Sequence, residues 1–113
     1  MDKLYKVVIL PEAQEDIRGI TLYIARKLHA PDAALNLAAT FQKSIQSLAI
    51  RPKRIKTIDE EPWNEIGIRK TKAKNYYIYF IVDDDDVTVY INAVIYIKRD
   101  QRKQLIEKRI GRM

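Results

Sequence analysis

The sequence predicts an α+β domain: an N-terminal strand, an antiparallel helical hairpin packed on a mostly antiparallel sheet of about four strands, and a short C-terminal helix. Three observations carry that expectation. Apolar residues recur at helical spacing through the first half of the chain. They alternate at period two through most of the second half. Between the two lies a stretch with two prolines and mixed charge, "RPKRIKTIDEEPWNEIG" (Arg51–Gly67), which reads as a surface connection.

The elements follow in order. "LYKVVIL" (Leu4–Leu10) is short, β-branched and stopped by Pro11, as a strand should be. "PEAQEDIRGITLYIARKL" then places proline at a first helical position and Glu12, Glu15 and Asp16 near the positive end of the helix dipole. Ala13, Ile17, Ile20, Ile24 and Leu28 make its apolar stripe. Gly19 costs that helix up to about 1 kcal/mol relative to alanine, unless something packs closely there. A Pro31–Asp32 pair opens a second helix, whose stripe is Ala34, Leu37, Ala38, Phe41, Ile45 and Leu48. A few residues near Leu28–Pro31 join the two as a hairpin.

Strands are expected at Ile68–Ala73, Tyr76–Val82 and Val87–Ile97. In the second, Tyr76, Ile78, Phe80 and Val82 alternate with Tyr77, Tyr79 and Ile81. In the third, Val87, Val89, Ile91, Ala93 and Ile95 alternate with Thr88, Tyr90, Asn92 and Tyr96, which implies one apolar face. Asp83–Asp86 joins the two strands as a turn, since aspartates tolerate turn conformations and bond their own backbone. No second ligand cluster accompanies these carboxylates, so a turn is preferred to a metal site. The first strand must pair with a later one. Trp63 is expected in the core, and Gln101–Arg109 as a short basic helix or a tail.

At 113 residues the chain is expected to be one domain, 1–113. It has no cysteine, which excludes disulfides and thiolate metal sites. "MDKLYKVVIL" lacks the pattern of a secretory signal and is too short to span a membrane, so a cytoplasmic protein without membrane contact is expected. The formal charge of +6 suits an acidic partner, either a nucleic acid or a protein.

Chemistry is sparse. The only histidine, His29, falls at the end of the first helix, where it can assist the terminal carbonyls. There is no HExxH, no glycine-rich phosphate loop and no serine elbow, which argues against metal or triad hydrolysis. No cofactor is implied. Arg69, Lys70, Lys72 and Lys74 crowd the start of "RKTKAKNYYIYF". Regular alternation puts Arg69 and Thr71 on one side of that strand and the three lysines on the other. The lysines are either a contact surface or a solvated rim, and Arg69 could pair with a carboxylate.

The run "ILPEAQEDIRGITLYIA", the later "GIR", and "YYIYFIVDDDDVTVYINAVIYIKRD", in this order, resemble the RelE/ParE superfamily of toxins from bacterial type II toxin–antitoxin modules. That group includes the plasmid stabilisation proteins. The resemblance spans about positions 5 to 105 and rests on Ala13, Asp16 and Ile17, on Gly67 and Arg69, on the Tyr-x-Ile-x-Phe strand and on Arg99–Asp100. It implies the fold already read from periodicity.

The superfamily divides by mechanism. RelE-like members cleave messenger RNA on the ribosome with basic residues and a C-terminal tyrosine or histidine, typically with an arginine where this chain has Tyr77. After Arg99–Asp100 comes "QRKQLIEKRIGRM", without tyrosine or histidine. ParE-like members bind and poison DNA gyrase. The resemblance therefore implies a ParE-like gyrase inhibitor, neutralised by a cognate antitoxin with an acidic segment. Target or antitoxin contacts would come from Arg69, Lys70, Lys72, Lys74, Tyr77, Arg99 and Arg102. The alternative is a ribosome-dependent endoribonuclease using Arg69, Lys72, Tyr96 and Lys98 or Arg99; a third reading is an inactive toxin that only binds.

Overall fold

A computed structural model describes residues 3–110; the ends of the expected domain, 1–2 and 111–113, lie outside the described residues. The elements are β1 (Lys6–Ile9), α1 (Pro11–Leu22), α2 (Pro31–Gln46), β2 (Arg69–Ala73), β3 (Tyr76–Asp83), β4 (Thr88–Tyr96) and α3 (Gln101–Glu107). They form one four-stranded sheet in the order β1-β4-β3-β2. β1 runs parallel to β4, while β3 pairs antiparallel with both β4 and β2. This is the α+β architecture the sequence predicts, with the first strand finding its partner in the last.

Both long helices start on proline, whose missing N–H is no loss in a first turn. α1 does not stop at Leu22 but widens into a π turn over Tyr23–Lys27. His29 (φ 51) then takes the left-handed conformation, and the Ala30 N–H returns to the Ile24 carbonyl at 3.1 Å. His29 thus ends the helix through its backbone. Leu28, expected in the apolar stripe, is instead 55% exposed, because the wider turn rotates it off the core side. α2 ends in a 3₁₀ turn, where the Arg54 guanidinium caps the Ile50, Arg51 and Ser47 carbonyls.

The helical hairpin covers one face of the sheet. Ala13, Phe41, Ile45 and Leu48 pack there against Ile78, Phe80, Val89, Ile91 and Val94. Phe41 meets Tyr76 edge to face, with ring centroids 5.2 Å apart. The opposite face is not solvated as the alternation implies. Ile58, Trp63, Ile68, Leu105 and Ile110 form a second core against Tyr79, Ala93 and Ile95. Tyr79 is only 1% exposed. The Arg51–Gly67 connection and α3 supply this layer, and both escape a period-two reading. Trp63 is core as expected, its Nε1–H donating to the Ile110 carbonyl at 3.2 Å.

One expectation for β4 fails at a definite residue. Tyr79 pairs with Ala93 but Phe80 pairs with Ile91, so Asn92 is an extra residue that opposes nothing. This bulge reverses the facing of everything after it. Val89 and Ile91 enter the first core, Ala93 and Ile95 the second, and Val94 returns to the first. Residues 87 to 95 therefore do not share one apolar face.

The two glycines of interest behave oppositely. Nothing lies within 4 Å of a Cβ built on Gly19, whereas Gly67 sits at φ +82, where an L side chain is strained. Gly19→Ala should raise stability by about 0.5–1 kcal/mol through the unfolded chain and helix propensity. Gly67→Ala should lower it by about 1 kcal/mol or more. Urea midpoints of the two variants beside the wild type check both signs.

Candidate functional site

β2 places its basic residues on different sides. Arg69, Thr71 and Ala73 pair with Phe80, Ile78 and Tyr76, so they point toward the helical layer. Lys70 and Lys72, opposite Tyr79 and Tyr77, point to the other face. This is the alternation the sequence implies. The expected open face of three lysines is nevertheless reduced. Lys70 Nζ sits 4.2 Å from the Tyr77 ring centre as a cation–π pair. Lys74 leaves the strand in a left-handed turn (φ 56). Lys72 remains exposed on the strand. Arg69 finds no carboxylate; its Nη1–H donates to the Ile55 carbonyl, and its Nε is buried without a partner.

The residues after β4 form a second basic group. Tyr96, Lys98 and Arg99 are exposed. Their turn is built by Gln101, whose amide donates to the Tyr96, Ile97 and Arg99 carbonyls at 2.8–3.3 Å and accepts from the Tyr79 hydroxyl at 2.8 Å. Burial first, then the Glu60 and Tyr77 charges, holds the Tyr79 phenol well above its ordinary range, so it stays a donor to Gln101. Asp100 caps α3 by accepting from the Lys103 N–H. Arg102 is occupied with structure: it stacks 5.3 Å from the Trp63 ring centre and donates to the Glu61 carbonyl.

These two groups do not converge. Arg69 pairs at Phe80, while Tyr96 pairs at Tyr76, four residues along β3. At about 3.3 Å per residue the separation along the sheet is about 13 Å. Lys72 points to the other face. Arg69, Lys72, Tyr96, Lys98 and Arg99 therefore do not surround one point.

What the fold does build at the Tyr96 end is a groove of about 780 Å³ between α1, the end of β4 and α3. Gly19, Tyr23, Tyr76, Val94, Tyr96 and Arg99 line it, the Tyr76 and Tyr96 rings meeting at a tilt with centroids 5.5 Å apart. Asp16 spans its wall, accepting from the Val94 N–H at 2.9 Å and from Lys108 Nζ. The sequence marks Asp16 as an acidic residue early in α1 and as part of the Ala-x-x-Asp start of that helix, without pointing to its partners. Its two partners are 78 and 92 residues away, beyond any local pattern.

The aspartate run is a turn, as expected. Asp83 accepts from the Asp86 N–H, and Asp86 from the Tyr90 hydroxyl. Asp84 ties the turn to the rest of the molecule through the Tyr5 hydroxyl (2.7 Å) and Lys53 Nζ (2.8 Å). Among the described residues no group of three or more histidine, cysteine or carboxylate side chains could hold a metal ion.

The sequence matches the family model described as ParE toxin of type II toxin–antitoxin system, parDE, over residues 7–101. A comparison with curated proteins gives no match. Among solved structures, the fold is similar to the chromosomal ParDE system from P. aeruginosa, with a TM-score of 0.70 at 15% identity, covering 85% of this chain and 99% of that one. It is also similar to the toxin–antitoxin complex RelBE2 from Mycobacterium tuberculosis (0.59, 22%, covering 85% and 97%). An E. coli RelE toxin carrying two arginine-to-alanine changes, in its free state, gives 0.61 at 16% identity, covering 95% and 98%.

The Asp84 cluster makes a pH prediction. Hydrogen bonds from Lys53 and then Tyr5 hold the Asp84 carboxyl below its ordinary 3.8. Its pairing is thus present above pH about 4 and lost as pH falls through the lower folded value. The Tyr5 phenol is raised above 10 by its bond to Asp84, so that contribution is present below pH about 10 and lost as pH rises through the folded value. Carboxyl NMR should give Asp84 a midpoint below 3.8 that moves up in Lys53→Met and in Tyr5→Phe.

Proposed function

The chain belongs to the ParE toxin family of type II toxin–antitoxin systems, and on that premise we propose that it stops growth by binding DNA gyrase, and is neutralised by a cognate antitoxin with an acidic segment. The supporting observation is the dispersal of the basic groups. Metal-free RNA cleavage needs a base, an acid and a cation around one phosphate. Here Arg69 is held against the Ile55 carbonyl about 13 Å along the sheet from Tyr96, and Lys72 lies on the opposite face. Each missing group is typically worth about 10²–10⁴-fold in rate. Inhibition by binding requires no such convergence.

The contact surface in this reading is the exposed Tyr96–Arg99 end with the adjacent groove, together with Lys72 and Lys74. An aromatic side chain beside an arginine is the composition typical of interface anchors. The excess of 21 Lys and Arg over 15 Asp and Glu suits an acidic antitoxin segment without any nucleic acid. Action on gyrase places the protein in the cytoplasm, and among the described residues no helix is long and apolar enough to cross a membrane.

Induced alone in a bacterial host, the protein should depress thymidine incorporation before methionine incorporation, and the purified chain should inhibit supercoiling by gyrase. Methionine falling first, with messenger cleavage abolished by Arg69→Ala, would instead establish the endoribonuclease reading. No growth effect would leave a binding protein. Arg99→Ala should weaken target binding about tenfold, about 1.4 kcal/mol, with the melting temperature unchanged. Arg69→Ala should act mainly through stability, costing about 1–2 kcal/mol.

A further inference from the structure

β2 is an outer strand of the sheet. The segment before it covers only its start, through the Thr57–Arg69 bridge and the Ile58 N–H on the Ile68 carbonyl at 2.9 Å. At its far end the turn Lys74–Asn75 closes on the Ala73–Tyr76 pair. Antiparallel alternation from that pair commits the backbone groups of Arg69, Thr71 and Ala73 to β3. The Lys70 carbonyl and the N–H and C=O of Lys72 therefore face outward, where no strand meets them among the described residues. This edge is accessible: Lys70 and Thr71 are partly buried and Lys72 is exposed.

An open edge is a template for an added strand, and its side chains decide which strand it takes. Lys70 and Lys72 project from one face, and Lys74 follows in the turn. Among the described residues none of the three lysines has a carboxylate partner. Lysines on an edge deter basic strands, a second copy of this +6 chain included. A strand with carboxylates at matching positions meets attraction instead and still gains the backbone bonds. We propose that the outer edge of β2 binds an extended acidic segment of a partner protein as a fifth strand. Its side chains opposite Lys70 and Lys72 stand two residues apart on the lysines' face, at cross-strand Cβ distances of about 5 Å. The segment should therefore read acidic–x–acidic. The proposal rests on the acidic partner of the preceding reading and adds where, and in what backbone conformation, that partner is held.

An NMR titration of the isotope-labelled full chain with a capped peptide alternating glutamate and valine tests this edge. The Lys72 amide should shift and exchange more slowly, and Lys72→Glu should weaken binding about tenfold or more. The same peptide methylated on its glutamate nitrogens keeps its charge but has no N–H to give the Lys70 and Lys72 carbonyls, so it too should bind about tenfold more weakly. Equal binding of the methylated peptide overturns the proposal, because charge alone would then account for the contact. Shifts confined to the Tyr96–Arg99 turn also overturn it while leaving the acidic partner standing, and no shift anywhere counts against both. A chain that takes the peptide at β2 but does not inhibit supercoiling loses the gyrase reading and keeps this one.

Discussion

The extra residue at Asn92 is the constraint on which the rest of the structure depends. β4 is an inner strand with β1 on one side and β3 on the other, and it supports a core on each face. Without the bulge, Ala93 and Ile95 would follow Ile91 into the helical layer, and the second core would lose two of its central contacts. With it, one strand feeds both layers: Val89, Ile91 and Val94 to the helices, Ala93 and Ile95 to Trp63 and α3. The carbonyl oxygen of the Asn92 side chain is left buried without a partner, a cost borne at the point where the strand changes face.

The same irregularity locates the groove. Leu10 N–H bonds the Ile91 carbonyl, and the chain then turns away at Pro11 into α1. β1 therefore leaves β4 just where the bulge begins, and α1 runs over the bared edge. Asp16, in the second turn of α1, reaches the Val94 N–H, and Lys108 after α3 closes the contact from the far side. A helix, a strand end and the C-terminal segment are joined through one carboxylate.

Charge follows the fold rather than the linear sequence. The four cations that crowd Arg69–Lys74 separate into an arginine bonded to a backbone carbonyl, a lysine stacked on Tyr77, a lysine left exposed and a lysine in a turn. Exposed cation and aromatic groups collect instead at the Tyr96–Arg99 turn, shaped by Gln101 from beneath. Arg102, for all its charge, is part of the packing around Trp63.

The sequence by itself determined the element order, the helical hairpin, the antiparallel strands, the aspartate turn and the buried tryptophan. Each follows from local chemistry: proline at a first helical turn, apolar spacing, aspartates at a turn, and the alternation of Arg69 against Lys70 and Lys72. Local pattern could not see what covers the second face of the sheet, because Ile58, Trp63 and Leu105 come from segments without strand or long-helix periodicity. Nor could it see the bulge, since Val87, Val89, Ile91, Ala93 and Ile95 keep perfect period two through the residue where the backbone breaks it. The site divided the same way. Its exposed basic and aromatic residues could be named in advance, but Asp16, Lys108, Tyr79 and Gln101 act through partners that only tertiary packing brings within hydrogen-bond distance.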